Sequence, residues 1–338
     1  MKKTVLLAMS GGVDSTYAAL KLIEDGYDVT GITFTTKYFD NEFINDVNDL
    51  IKKLNIKHKF IDISKEFNKE VIQNFIQGYK DGITPNPCVV CNKKIKFELL
   101  NEIRKEMNID YLATGHYLRI VNCKGLNLLK KAKNEKKDQT YFLNQINPKT
   151  LDICLFPLGD VNDKEEVRNY LKNKQIEIFN KKESQEICFI KKKTSEYLTE
   201  YIPKNEGIIK DVTEKVLGKH DGSHLYTIGQ RKGLGITTLK PMYVVNKDKN
   251  TIYVGEEKLL YTNKVIINNV NIFCEEFLKE ELKGKVRYSS TEKNIKNIKK
   301  NTDETYEIFF ESAQRAVTKG QYCAIYYKDI LVLGGIIV

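Results

Sequence analysis

Ala8-Met9-Ser10-Gly11-Gly12-Val13-Asp14-Ser15 decides how the rest of the chain is read. It joins an apolar run, Thr4 to Ala8, that reads as a strand to a stretch from Asp14 to Glu24. There Tyr17, Ala18, Leu20 and Leu22 recur at helical spacing. Two adjacent glycines let a backbone approach an anion closely. The amides and serine hydroxyls that follow can donate to it at the positive end of a helix. No Gly-Lys-Ser/Thr closes the string, so it is not a Walker A loop, and the lysine that would reach the β- and γ-phosphates is missing. A tight turn with a helix N-cap would explain the glycines alone, but not the full Ser-Gly-Gly-x-Asp-Ser string.

Outward from this loop the chain alternates. Gly26 suits a helix C-cap, Val29 to Phe34 is β-rich, Phe43 to Leu54 is amphipathic, Lys59 to Ile63 reads as a strand and Phe67 to Tyr79 as a helix. Such alternation argues for a parallel sheet with helices on both faces. A turn-rich loop, Gly82-Ile83-Thr84-Pro85-Asn86-Pro87, ends on Cys88-Val89-Val90-Cys91. A helix from Lys93 to Met107 and a strand from Tyr111 to Thr114 follow. Residues 124–137 carry six lysines and read as an exposed excursion; from Lys149 to about Tyr201 the pattern is mostly helical. Beyond residue 205 short alternating runs predominate: Met242 to Val245, Thr251 to Val254, Lys264 to Val270, Tyr306 to Phe310 and Tyr322 to Tyr327. The expected architecture is α/β, an N-terminal doubly wound parallel-sheet nucleotide-binding domain followed by two small β-rich domains. The boundaries are 1–203, 204–261 for a central β domain, and 262–338 for a β-barrel-like domain.

Composition sets limits. A length of 338 residues fits about two domains, with a third admissible. With 41% hydrophobic residues, collagen-like, mucin-like and wholly disordered chains are excluded. The apolar runs fall far short of the roughly 20 residues of a membrane span, and the Met1-Lys2-Lys3 start lacks a signal peptide's cleavage region. Seven scattered cysteines (Cys88, Cys91, Cys123, Cys154, Cys188, Cys274, Cys323) make a poor disulfide framework. A cytoplasmic protein is the expectation. The net charge of +10 has two readings. Only six of the 55 basic residues are Arg, as an AT-rich genome would produce; clustered Lys would also give a polyanion-binding surface.

The loop resembles the PP-loop of the ATP-pyrophosphatase superfamily, whose members cleave ATP between the α- and β-phosphates and adenylylate an acceptor. Further strings resemble the tRNA-specific 2-thiouridylases of the MnmA family. They are Thr84-Pro85-Asn86-Pro87-Cys88-Val89-Val90-Cys91-Asn92-Lys93, Ile95-Lys96-Phe97, Ala113-Thr114-Gly115-His116-Tyr117, Lys137-Asp138-Gln139, Ile187-Cys188-Phe189-Ile190, Tyr226 to Gly235, Gln314-Arg315-Ala316-Val317-Thr318 with Gly320-Gln321, and Leu333-Gly334-Gly335. They occur in family order across nearly the whole chain.

The resemblance implies ATP-dependent 2-thiolation of a tRNA wobble uridine. ATP turns the uracil 2-oxygen into a leaving group, and a cysteine persulfide delivers the sulfur; a second cysteine then completes release, leaving a disulfide. It implies Cys188 as persulfide carrier and Cys91 as nucleophile. Ala8, Met9, Ser10, Gly11, Gly12, Val13, Asp14, Ser15, Phe34 and Gly115 align with ATP contacts, and Asn86, Pro87 and Cys88 with the target base. His116, Lys137, Asp138, Gln139, Arg287, Tyr288 and Gln321 align with tRNA contacts. Expected partners are tRNAs accepting Lys, Glu or Gln and a sulfur donor such as a cysteine desulfurase or relay protein; Mg²⁺ accompanies ATP. The chain departs from the family in two places. Cys88 stands where many members have Asp, and the segment after Phe34 is shortened.

Other chemistries remain at this stage. An iron–sulfur cluster on Cys88, Cys91 and Cys188 could activate sulfide. The chain could be a non-catalytic tRNA-binding relative, or another PP-loop enzyme such as an amidating or argininosuccinate synthase-like ligase. A zinc site on Cys88 and Cys91 lacks a second pair. For Cys188, transfer chemistry predicts an accessible thiolate with a lowered pKa.

Overall fold

The computed structural model describes residues 2–38, 41–180, 187–248 and 250–338. Its first sheet is parallel, with strand β1 (Thr4–Ala8) at the centre. β1 pairs with β2 (Asp28–Thr35) on one side and β4 (Tyr111–Thr114) on the other; β3 (Lys57–Asp62) and the short strand Cys154–Leu155 complete the edges. Side chains alternate across the sheet as the strand period requires. Val5 and Leu7 face helix α1 (Val13–Glu24), whereas Leu6, Ile32 and Leu112 face the opposite core; all five are buried. Covering both faces is what lets a parallel sheet bury nearly continuous apolar strands.

Two long helical stretches flank the sheet, each interrupted by a π-helical segment. Ser64–Lys80 contains Asn68–Gln73, and Pro87–Glu106 contains Asn92–Leu99. π-Helical insertions shift the register of side chains along a helix and concentrate at functional sites. The second begins directly after Cys91.

A four-stranded sheet of Tyr243–Lys247, Thr251–Gly255, Gly207–Asp211 and Val216–His220 forms the small middle unit. The last sheet runs Tyr261–Ile272, Tyr306–Arg315, Lys293–Lys300, Leu282–Lys285, Tyr322–Tyr327 and Ile330–Ile337. It closes because Tyr261–Ile272 pairs with both Tyr306–Arg315 and Ile330–Ile337.

Residues 124–137 are not an exposed excursion. Leu118–Cys123 and Leu126–Lys131 form a hairpin that joins the barrel through Ile330 opposite Lys130, with Leu128 and Leu129 fully buried. The lysines mask those leucines in the composition. One core cluster consequently runs from Leu6 and Leu112 through Leu128 to Ile308, Ile325 and Leu333, tying the parallel sheet to the barrel. The region from Lys149 to Tyr201 is less helical than its pattern implies. Its described α-helices are Lys164–Asn173 and Thr194–Leu198, with a 3₁₀ turn, Glu177–Asn180, between them; residues 181–186 lie outside the described part.

Candidate active site

The strand order reverses between β1 and β4, and ligands of open α/β sheets bind at the carboxyl ends of strands at such a switch. The loop after β1 is built there. Its start is tied to β2: the Met9 amide donates to the Ile32 carbonyl at 2.7 Å, and the Thr33 hydroxyl to the Met9 carbonyl at 2.9 Å. Gly11 has φ +64°, and a Cβ there would sit 2.7 Å from Val47 Cγ2, so both backbone and space demand glycine. The Gly12 carbonyl accepts from the Thr16 amide at 3.1 Å, the Ser15 hydroxyl at 3.0 Å and the Thr16 hydroxyl at 2.9 Å. No side chain caps the first turn of α1, which leaves its amides for an anion. Gly115, just beyond β4, stands against that turn; a Cβ would lie 3.1 Å from the Ser15 nitrogen. Phe34 is half-buried at the end of β2.

Asp14 joins this loop to distant parts of the chain. Its carboxylate accepts from the Tyr117 hydroxyl at 2.6 Å and forms an ion pair with Lys164, the first residue of a helix capped by Asp163. Gln139 holds Tyr117 in turn: the Tyr117 amide donates to its Oε1 at 2.9 Å, and its own amide donates to the Tyr117 carbonyl at 3.0 Å. Sequence reading missed Lys164, because nothing local distinguishes it from the other lysines of that helix.

The cysteines approach from two elements. Asn86 caps the helix beginning at Pro87, its Oδ1 accepting from the Cys88 amide at 3.1 Å and the Val89 amide at 3.4 Å. Cys88 is exposed and Cys91 half-buried. Cys188 is exposed on a turn closed by the Ile190 amide and the Ile187 carbonyl at 2.9 Å. Phe189 anchors that turn, its ring 5.5 Å from Phe75, 5.8 Å from Phe67 and 5.7 Å from Tyr197. Burying such a side chain contributes roughly 1.5–3 kcal/mol, which holds the neighbouring Cys188 in place. Cys91 packs against the same cluster.

Burial pushes the Cys88 and Cys188 thiols up and the Cys91 thiol up to about 12; the Lys96 ammonium opposes the rise at all three. Although Cys88 and Cys188 reach solvent, the surrounding protein outweighs that exposure. The lowered Cys188 pKa expected from sequence is therefore corrected: the net shift is upward. Cys188 also acts electrostatically on Cys88 and Cys91, which puts the three thiols within one another's field. All seven cysteines are free. Among the described residues no group of three or more His, Cys, Asp or Glu side chains is arranged to hold a metal ion, so the cluster reading finds no ligand set here.

The residues aligned with tRNA contacts are placed unequally. His116 is buried, hydrogen-bonded to the Thr114 hydroxyl at 2.8 Å, and burial holds its pKa well below the usual histidine value. Asp138 is buried and accepts from the Thr140 hydroxyl at 2.7 Å and the Ala132 amide at 3.1 Å. The Arg287 guanidinium donates to the Ala316 carbonyl, and Gln321 Nε2 to the Thr84 carbonyl at 2.8 Å. Lys137 is half-buried, and Tyr288 is 38% exposed, its ring 4.4 Å from Phe142. Tyr288 borders a cleft of about 270 Å³ lined also by Lys131, Lys136, Asp138, Lys285 and Glu292. No helix among the described residues is long and apolar enough to cross a membrane.

Comparison with known proteins agrees with this layout. Residues 3–192 match the family described as tRNA methyl transferase HUP domain, 195–256 its PRC-barrel domain, and 262–338 the aminomethyltransferase beta-barrel domain. The chain is 42% identical to tRNA-specific 2-thiouridylase MnmA 1 of Clostridium tetani, over 100% of this chain and 97% of that one. It is 40% identical to the MnmA proteins of Clostridioides difficile, over 100% and 98% of the two chains, and of Aquifex aeolicus, over 98% of each. At that identity over its whole length, with the three family domains matched in order, the chain belongs to the MnmA family of tRNA-specific 2-thiouridylases.

Proposed function

We propose that this protein uses ATP to replace the 2-oxygen of a tRNA wobble uridine with sulfur. The observation that carries the reading is that Cys91 and the turn bearing Cys188, far apart in the chain, pack against one buried aromatic cluster, with Lys96 acting on both thiols, in a domain that also holds the uncapped PP-loop. In the first step the uracil 2-oxygen attacks the α-phosphorus, and pyrophosphate departs from the amides of Gly11 to Ser15. Asp14, the carboxylate of the loop, would help hold Mg²⁺ on the triphosphate, and the ion would neutralise the leaving charge. A persulfide on Cys188, loaded by a desulfurase or relay protein, attacks C2 through its outer sulfur and AMP leaves. Cys91 as thiolate then attacks the Cys188 sulfur, forming the Cys91–Cys188 disulfide and freeing the 2-thiouridine. A thiol reductant restores both cysteines.

Lys96 serves both thiols by favouring the charged form that attack requires. Cys88 takes the place of the usual carboxylate beside the base, so its role is contact rather than proton transfer. The matching family is described by methyl transfer and the relatives by thiolation; the paired thiols in a domain with an ATP-type loop favour thiolation. The test is nucleoside analysis of wobble-uridine tRNA incubated with the protein, ATP, Mg²⁺, cysteine and a cysteine desulfurase. We expect 2-thiouridine that depends on ATP and on both Cys91 and Cys188. Pyrophosphate release without thionucleoside, or methylation on supplying S-adenosylmethionine instead, would overturn the reading.

A further inference from the structure

The C-terminal barrel grips the loop that carries the cysteine helix. Thr84 is held at both of its main-chain polar groups by one turn, residues 316–321, between the strands Tyr306–Arg315 and Tyr322–Tyr327. The Thr84 amide donates to the Lys319 carbonyl at 2.8 Å, and the Thr84 carbonyl accepts from Gln321 Nε2 at 2.8 Å. Gly320, at φ +87°, lies flat against the loop; a Cβ there would meet Ile83 Cβ and the Thr84 carbonyl carbon at 3.1 Å.

The turn itself is rigid. The Gly320 amide donates to the Ile337 carbonyl at 2.9 Å, and the Ile337 amide to the Gln321 carbonyl at 2.8 Å. The Thr318 hydroxyl donates to the Ala316 carbonyl at 2.8 Å, which Arg287 also engages. On the other side, Thr84-Pro85-Asn86-Pro87 is stiff, with φ locked in two buried proline rings, and it ends on the Asn86 cap over Cys88 and Val89. Thr84 even buries its hydroxyl without a partner, a cost that tight clamping of its backbone offsets.

We propose that Gln321 is a positioning residue for sulfur transfer: through Thr84 it fixes the height of the Asn86-capped helix and hence of Cys88 and Cys91. The effect of its loss falls on the chemical step, because sulfur attack is sensitive to displacements of an ångström. This rests on the thiolation reading, but part of its test does not.

The experiment compares Gln321→Ala and Gln321→Glu with the parent protein. Glu keeps the volume but turns an acceptor toward the Thr84 carbonyl, so it guards against a simple packing defect. Two readouts are taken on folded protein: kcat and KM for tRNA in thiolation, and the iodoacetamide alkylation rate of Cys91 in protein alone. We expect kcat to fall by roughly tenfold or more in both variants, with KM for tRNA within about twofold. The Cys91 alkylation rate should change by about threefold or more without tRNA or ATP present. A raised KM with unchanged kcat and unchanged alkylation would make Gln321 a tRNA contact only and overturn the proposal, as would parental values throughout. If the parent itself thiolates nothing, the thiolation reading fails and the alkylation comparison still decides whether Gln321 positions Cys91.

Discussion

The Tyr117 hydroxyl donates to the Asp14 carboxylate at 2.6 Å, and Lys164 forms an ion pair with the same oxygen. The loop is thus braced from the segment that follows β4 and from a helix that begins 150 residues later. Asp14→Ala removes the anion from beneath an ammonium that is only 14% exposed. Stability should fall by about 1–3 kcal/mol, and tRNA-dependent pyrophosphate release should be lost. Adding Lys164→Met removes the ammonium that had faced Asp14. The double variant should regain much of the stability, read from urea midpoints, without regaining pyrophosphate release. If Asp14→Ala alone released pyrophosphate at the parental rate, the loop would not be the ATP site.

Thiol reactivity should follow burial. With Cys91 pushed up to about 12 and Cys188 also raised, both are protonated at neutral pH. Their alkylation rates should climb with pH through about pH 10 without a plateau. Lys96→Met removes the one opposing charge common to all three thiols and should slow alkylation of Cys88, Cys91 and Cys188 together. Mass spectrometry of peptides alkylated at a series of pH values reads each site separately. A plateau below about pH 8 at Cys188 would mean that the lysine outweighs burial after all.

What was legible in the sequence was what has a local signature. The strands and helices around Gly11 and Gly12 follow from period and glycine placement, and the structure has β1, α1 and β2 there. The hairpin Leu118–Lys131 was hidden because its buried Leu128 and Leu129 sit among lysines that mask them in the composition. The strand Lys293–Lys300 carries four lysines and only Ile295 and Ile298 as apolar residues, spaced for neither a clean strand nor a helix. At the site, motifs marked Tyr117 and Gln139, but not that they brace Asp14, and Lys164 carried no signal at all. These are tertiary contacts between segments distant in the chain, and no window of sequence contains both ends.

His116 offers a pH signature. Burial holds its pKa below the unfolded value, so the folded protein keeps the ring neutral. The stability this gives is full above about pH 6.5 and is lost as pH falls below it, because the unfolded chain then binds a proton that the fold refuses. His116→Gln keeps a polar group near Thr114 but cannot titrate. Between pH 7.5 and 5.5, about one unit either side of the free histidine value, the parent's urea midpoint should drop further than the variant's. Equal drops would place the pH sensitivity in the other buried histidines, His220 and His224.

Tyr288 and Arg287 are neighbours with different expected roles in binding tRNA. The Tyr288 ring is partly exposed at a cleft, beside Phe142 and with the Lys285 ammonium 5.3 Å from its centroid, so its exposed part can meet a base. The Arg287 guanidinium is half-buried and donates to the Ala316 carbonyl, which itself has an unusual backbone with φ +53°. Tyr288→Ala should weaken tRNA binding by about 1–3 kcal/mol, the range for a stacked base. The slope of log affinity against log salt should not change, because no phosphate contact is lost. Arg287→Ala should instead lower the stability of the barrel by about 1–3 kcal/mol and leave the affinity of folded protein near the parental value. Lys137→Ala, which removes a half-exposed cation beside Tyr288, should reduce the salt slope by about one. Binding isotherms over a salt series for the three variants separate these effects. A flat salt dependence in the parent would reduce the +10 charge to base composition, and a loss of affinity at Arg287 with unchanged stability would move the phosphate contact onto that guanidinium.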